Sequence, residues 1–327
     1  MIATRAAAWT GAAALATASL AGCSWRLETP EPTWPSPDAV TLTRDAAAER
    51  EQSVIDALAS PDGTASDEVL VAYEGAAAPE RLDALGGVYV AYPDATPSAS
   101  PSPAAVPAPA DAVVAARDGA IADAMETTDE DLALLLASTA LSHDLMGWYA
   151  GWAEKAFTDP ETPVVVERMF SSATTNTVAP VPDATSLDAE AIATLVEEHD
   201  RARYLYEVLA AKAADEEREQ WLARRDLQAA RADALAALPG VEDRRAAVYV
   251  VDNAGLEDSA GRIAAAQAAE TTLGDRYAAM LGEAEQVEWP WILSAAFDAY
   301  AQAAAYADPS THDAVIPALP GITADEG

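Results

Sequence analysis

Asp188-Ala189-Glu190-Ala191-Ile192-Ala193-Thr194-Leu195-Val196-Glu197-Glu198-His199-Asp200-Arg201-Ala202 is the stretch from which the fold of this chain is read. Apolar residues recur at helical spacing through Ile192, Leu195, Val196, His199, Ala202, Tyr206 and Leu209, one face of a helix over about residues 188–214. That face carries a histidine, and Glu198 stands at its edge. The same few turns therefore raise the question of fold and the question of chemistry.

Three more helices follow. Residues 215–238 place Ala223, Leu227, Ala230, Ala234 and Leu238 in a stripe that closes at Pro239-Gly240. A connection of about 18 residues comes next, with a strand-like run Ala247-Val248-Tyr249-Val250-Val251. Residues 257–285 align Ile263, Ala266, Glu270, Leu273, Tyr277 and Leu281. Residues 290–307 start on a proline, which the first turn tolerates, and present Leu293, Phe297, Tyr300 and Ala304. Tight joints make the first two helices one antiparallel hairpin and the last two another, and the middle connection is long enough to cross the bundle. Four helices with one long crossover is a ferritin-like arrangement; an ordinary four-helix bundle with a wandering loop is the alternative.

Upstream, residues 41–157 read as a mostly helical region. Helices are predicted over 43–59, 111–125 and 129–157. The last carries Leu132, Leu135, Leu136, Thr139, His143, Met146, Ala150 and Ala153 in one row and Leu141, Leu145, Trp148 and Trp152 in another, so it is expected to be buried on more than one side. Two short runs, residues 69–73 and 88–92, read either as a small strand pair or as turns of helix. Residues 93–110, rich in Pro, Ala and Ser, read as a low-complexity linker. Residues 158–186 read as a connection and 308–327 as an irregular tail.

The N-terminal segment reads as an export signal over residues 1–22: Arg5 supplies the positive start, and Ala6–Leu20 is apolar but too short to span a bilayer. Leu20-Ala21-Gly22-Cys23 resembles a bacterial lipobox at each position. The resemblance implies cleavage before Cys23, a diacylglycerol thioether on its sulfur and an N-acyl group on its amine. Residues 23–40, with Pro30, Pro32, Pro35 and Pro37, would then form an extended tether. Two or three acyl chains anchor stably where one does not, at ~0.8 kcal/mol per buried CH₂. The expected address is the outer face of the cytoplasmic membrane.

Charge narrows the partners. Against 54 acidic residues stand 19 basic ones, a formal net charge of −35. Such a surface repels phosphate backbones and anionic headgroups, which argues against nucleic acid and leaves the lipid as the means of membrane attachment. An envelope protein or a second copy of the chain is the expected partner. Cys23 is the single cysteine, so cysteine-rich zinc sites and internal disulfides are excluded. No Gly-x-Ser-x-Gly elbow, phosphate-cradling glycine loop or EF-hand spacing occurs.

Over about residues 187–307 the chain resembles the ferritin-like domain-of-unknown-function family of lipoproteins from high-G+C Gram-positive bacteria. The residues behind this are Glu197-Glu198-His199-Asp200-Arg201-Ala202, Ala223-Arg224-Arg225-Asp226-Leu227, Ala269-Glu270 and Trp291. The resemblance implies fold and location and brings no established activity.

Ferritin-like di-iron centres use one Glu on each of two helices and Glu-x-x-His on each of the other two. Here Glu198, His199 and Glu270 are the candidate metal ligands, with iron the metal they would suit. Residues 215–238 offer only Glu219-x-x-Leu222, and residues 290–307 offer Asp298 without a histidine. Both histidine-bearing motifs are missing. The structural reading of the same residues is a buried polar pair of Glu270 and His199, or a bond from each to an arginine such as Arg203 or Arg225, because an unpaired buried charge is costly. His143 reads as a hydrogen-bonded core histidine and His312 as solvated.

The expectation is a lipid-anchored protein with a degenerate ferritin-like bundle that binds or scaffolds without a cofactor and is not an enzyme. The competing expectation is a metal-binding, oxidoreductase-type protein with a reduced carboxylate/His site. A third class is a binding protein for a small molecule or an envelope component, marked by an apolar pocket with convergent polar groups.

Overall fold

A computed structural model describes residues 37–59, 64–89, 105–156, 181–311 and 313–322. The export signal, Cys23, most of the tether, most of the low-complexity stretch and of the 158–186 connection, and His312 lie outside the described residues. Ala39–Gly327 forms a compact unit. Among the described residues it is built from helices, with no strand, and none of these helices is long and apolar enough to cross a membrane.

The helices are α1 (Ala39–Leu58), α2 (Ala65–Ala84), α3 (Pro109–Glu126), α4 (Glu130–Ala156), α5 (Ala189–Lys212), α6 (Asp215–Ala236), α7 (Ser259–Met280) and α8 (Trp289–Ala305), with a 3₁₀ turn Gln286–Glu288 before the last. Their starts follow local chemistry. Asp188 caps α5 by accepting from Glu190 N at 2.9 Å, and Asp258 caps α7 from Gly261 N at 2.7 Å. Pro290 occupies the first turn of α8, where a missing N–H costs nothing.

The run at 69–73 is helical, which decides between its two readings. Thr64 and Asp67 form a reciprocal capping box, Asp67 N to Thr64 Oγ1 at 3.0 Å, and start α2 just before the β-branched residues. Two satisfied N–H groups and a buried face outweigh the weak strand preference of two valines and a tyrosine. The run at 247–251 is irregular and forms no strand: Tyr249 is buried, while Val248 and Val250 stand in solvent.

The helices form two sets of four with one connectivity. In the first, α1 with α2 and α3 with α4 are hairpins; α1 packs on α3 and α2 on α4. In the second, α5 with α6 and α7 with α8 are hairpins. There α5 and α7 run antiparallel, as three bonds along their length record: Glu198–Arg276 at 2.8 Å, Tyr206–Glu270 at 2.6 Å and Lys212–Glu257 at 2.5 Å. In both sets a long connection joins the hairpins, residues 85–108 in the first and 237–258 in the second.

Helices α4 and α8 pack together and weld the two sets into a shared core. This is why α4 is buried all round from Leu136 to Met146, as its two apolar rows predict. The C-terminal segment is irregular, as its prolines dictate, yet it is tied down. Ser138 and Ser142 of α4 donate to the carbonyls of Pro320 and Pro317 at 2.8 and 2.9 Å, and Ala314 N donates to Tyr73 of α2 at 3.0 Å.

Candidate functional site

Each set of four helices carries a buried polar centre. In the second set, α6 supplies most of it. The buried residues of α6 are Trp221, Arg224, Gln228, Arg231, Ala232 and Leu235. Of the stripe expected to point inward, Leu238 is buried, Leu227 and Ala234 are half-buried, and Ala223 and Ala230 are exposed. Helix α6 is amphipathic in both directions, and carboxylates on the opposing helices give its arginine face the better partners.

Arg224 grips Glu270 of α7 in a fork, Nε to Oε1 at 2.7 Å and Nη2 to Oε2 at 2.6 Å. Its Nη2 also lies 3.4 Å from Oδ2 of Asp298 on α8, and Arg231 pairs with the same carboxylate. Glu270 accepts further from Tyr206 OH at 2.6 Å and Gln228 Nε2 at 2.9 Å. Two guanidinium groups thus balance two carboxylates in a largely buried region.

The tautomer of His199 follows from these bonds. Gln228 donates its amide to Glu270, so its carbonyl accepts from His199 Nδ1–H at 2.6 Å. His199 Nε2 then accepts from Tyr277 OH at 2.7 Å. The ring is neutral. Burial, with the charge of Arg231 beside it, pushes its pKa down to about 3. Arg231 Nε and Nη1 and Trp291 Nε1 are buried without a protein partner.

The centre of the first set joins α1, α2 and α4. Arg81 of α2 donates Nε to Glu51 at 3.1 Å and Nη1 to Ser142 at 3.0 Å, and its Nη2 pairs with Glu74. His143 lies between the same carboxylates, Nε2 to Glu51 Oε1 at 2.6 Å and Nδ1 to Glu74 Oε1 at 2.8 Å. Arg81 Nη2 also lies 3.3 Å from Nδ1, but the nearest group at each nitrogen is a carboxylate oxygen, and a ring that carries two protons donates to both. Burial and Arg81 pull its pKa down, but Glu74 and Glu51 together outweigh them and hold it above the ordinary value. Burial acts on Glu74 in the opposite sense, and His143 with Arg81 overcomes it, leaving its pKa at about 2. Again two cations balance two anions.

The candidate metal ligands do not converge. Glu198 leaves the bundle interior and pairs with Arg276 on the outer face of α7. His199 and Glu270 are both interior, joined only through Gln228. Glu270 finds an arginine, as burial of its charge requires, but the partner is Arg224; Arg225 pairs with Asp226, and Arg203 with Asp200 and Glu207. His143 is the hydrogen-bonded core residue its stripe suggests.

The donor set does not fit a di-iron centre. Every carboxylate in the second centre is held by a guanidinium, and both nitrogens of His199 are engaged. Among the described residues no group of three or more His, Cys, Asp or Glu side chains is disposed to hold a metal ion.

Sequence reasoning passed over Glu51, Glu74 and Arg81. The signal was present: Glu51 follows Ala47 and Ala48 and precedes Val54 in one buried row, and Glu74 and Arg81 share a row with Leu70, Ala77 and Ala78. A charged residue inside an apolar row is a prompt to look for a buried partner.

Compared with protein-family models, with curated proteins and with solved structures, the chain matches none.

Proposed function

We propose that this chain is a lipid-anchored protein of the bacterial envelope, held at the outer face of the cytoplasmic membrane through Cys23. Its helical body binds or scaffolds there and carries no redox centre. In this reading α5–α8 are a ferritin-like bundle whose interior has exchanged metal ligands for ion pairs.

The observation that carries the reading is the fork between Arg224 and Glu270. A cation entering the second centre must displace a guanidinium that already satisfies both carboxylate oxygens, in a buried setting where a guanidinium left without its carboxylate is costly. Two hairpins joined by the 237–258 crossover support the ferritin-like part. The lipobox Leu20-Ala21-Gly22-Cys23 supports the address.

Two measurements test it. Cys23→Ala should move the protein from the membrane fraction to the soluble fraction of the producing cell; retention in the membrane overturns the address. Aerobic incubation of the purified full chain with ferrous iron, followed by desalting and metal analysis, should leave well under one iron per chain. Retention of about two irons per chain overturns the scaffold reading in favour of an oxidoreductase-type centre.

A further inference from the structure

A groove of about 290 Å³ follows the seam between α5 and α7, with the 237–258 crossover along one side. Small side chains create it: Ala202 on α5 and Ala265 and Ala269 on α7 leave room beside the buried Leu273. Val250 and Val251 of the crossover form the wall that faces them.

That wall is fixed from the inside. Tyr249 is buried; its hydroxyl donates to Asp200 at 3.0 Å and accepts from Ala246 N at 3.0 Å. The guanidinium of Arg201 stands 4.8 Å from the centre of its ring. On either side of this clamp, Val248 is 69% exposed and Val250 97%. Val250 adds no burial to the folded chain, although the residue beside it is held in place. An apolar group seated in the groove would cover it and remove apolar surface from water.

The charges at the rim leave one carboxylate unmatched. Glu198 is forked by Arg276, with contacts of 2.8 and 3.1 Å, and Arg201 pairs with Glu197 at 2.6 Å. Asp252 accepts one bond, from Ala254 N at 2.9 Å, and no cation among the described residues pairs with it. The field of a chain with formal charge −35 acts in the same sense, drawing cations and repelling anions.

Size points to the kind of occupant. The groove is smaller than most small-molecule sites, which run to roughly 300–1,000 Å³, and suits one large side chain. Protein interfaces are anchored in that way, by an aromatic side chain in a pocket whose surrounding contacts exclude water.

We propose that this groove docks a partner protein through one aromatic side chain flanked by lysine or arginine, the ring lying between α5 and α7 against Val250 and a flanking cation facing Asp252. The inference rests on the binding role proposed above and names its surface and the chemistry of its partner. Its test involves neither Cys23 nor iron, so its failure is distinguishable from failure of that reading.

The experiment titrates the purified full chain by calorimetry with three peptides: acetyl-Lys-Phe-Lys-amide, acetyl-Lys-Ala-Lys-amide and acetyl-Glu-Phe-Glu-amide. Salt of about 0.15 M screens the chain's overall field beyond about 8 Å and leaves the charges at the groove. The first peptide should bind saturably at one site, and the alanine peptide about tenfold more weakly or worse, the weight of one buried ring. The glutamate peptide should not bind. Ala269→Leu fills the groove and should abolish binding at an unchanged unfolding temperature. Val250→Ser sits where no packing can be disturbed and should weaken binding about threefold. Asp252→Asn can still accept from Ala254 N and should weaken the first peptide by a similar factor, about threefold. The proposal is overturned if the first peptide does not bind saturably, if the alanine or the glutamate peptide binds as well as it does, or if any of the three variants, folded, leaves its affinity unchanged.

Discussion

The guanidinium of Arg224 forks onto the carboxylate of Glu270, with two hydrogen bonds of 2.7 and 2.6 Å, where the interiors of α6 and α7 meet. Neither group is open to solvent, so neither survives the loss of the other. Arg224→Met is expected to cost about 3–5 kcal/mol, because Glu270 is left charged and unpaired. Adding Glu270→Leu removes that charge, and the double variant is expected to be more stable than Arg224→Met alone. Urea unfolding of the four proteins in this cycle measures the coupling. Losses that simply add would mean that the pair is not a unit.

The two buried histidines are expected to tilt stability in opposite directions around pH 6.5. His143 has a folded pKa above its unfolded value, so its proton stabilises the fold fully below about 6.5 and that contribution is lost as pH rises through the folded pKa. His199 has a folded pKa of about 3, so the unfolded chain binds the proton more readily, and stability falls as pH drops from about 6.5 towards that value. Glu74, with a folded pKa of about 2 against 4.5, adds a second loss on the acid side below 4.5. Urea midpoints taken from pH 4 to pH 9 should form a dome. His143→Gln should flatten its alkaline limb and His199→Gln its acid limb above pH 4.5. The same limb flattening in both variants would reverse one of the protonation states assigned above.

Gly321 anchors the C-terminal strap. Its φ of +80° suits glycine, and a Cβ there would lie 2.4 Å from the carbonyl oxygen of Ala278 on α7. Pro320, the residue before it, accepts from Ser138 on α4, so one turn of irregular chain touches both sets of helices. Gly321→Ala should cost about 1–3 kcal/mol in thermal unfolding, and limited proteolysis should begin near the tail. An unchanged midpoint would show that the strap contributes nothing to the joint between the sets.

How much was legible follows the length scale of each interaction. The apolar rows of α4, α5, α7 and α8 were readable because apolar spacing reports burial against whatever neighbour is present. The interior face of α6 was not. Its alanine row and its Trp221–Arg224–Gln228–Arg231 row are both helical stripes, and only carboxylates more than forty residues away in the chain, Glu270 and Asp298, decide which one turns inward. Choosing Arg225 in place of Arg224 is an error of one residue, which on a helix is about 100° of rotation. The second set of four helices was inferred from joint lengths. Its counterpart in α1–α4 was hidden, since β-branched runs and a proline-rich connection blurred α2 and the crossover.

By itself, the sequence determined what depends on near neighbours. It set where most helices begin and end, through caps, prolines and apolar periodicity. It set the acidity, which disfavours polyanionic partners, and it raised Leu20-Ala21-Gly22-Cys23 as an anchor for experiment to test. The tertiary structure alone decided the chemistry of the interior. Whether Glu270 and His199 are ligands or members of an ion-paired network depends on which groups reach them, and for each residue those come from two other helices. A buried charge is governed by the nearest opposite charge within a few ångströms, and nothing in a linear spacing reports that distance.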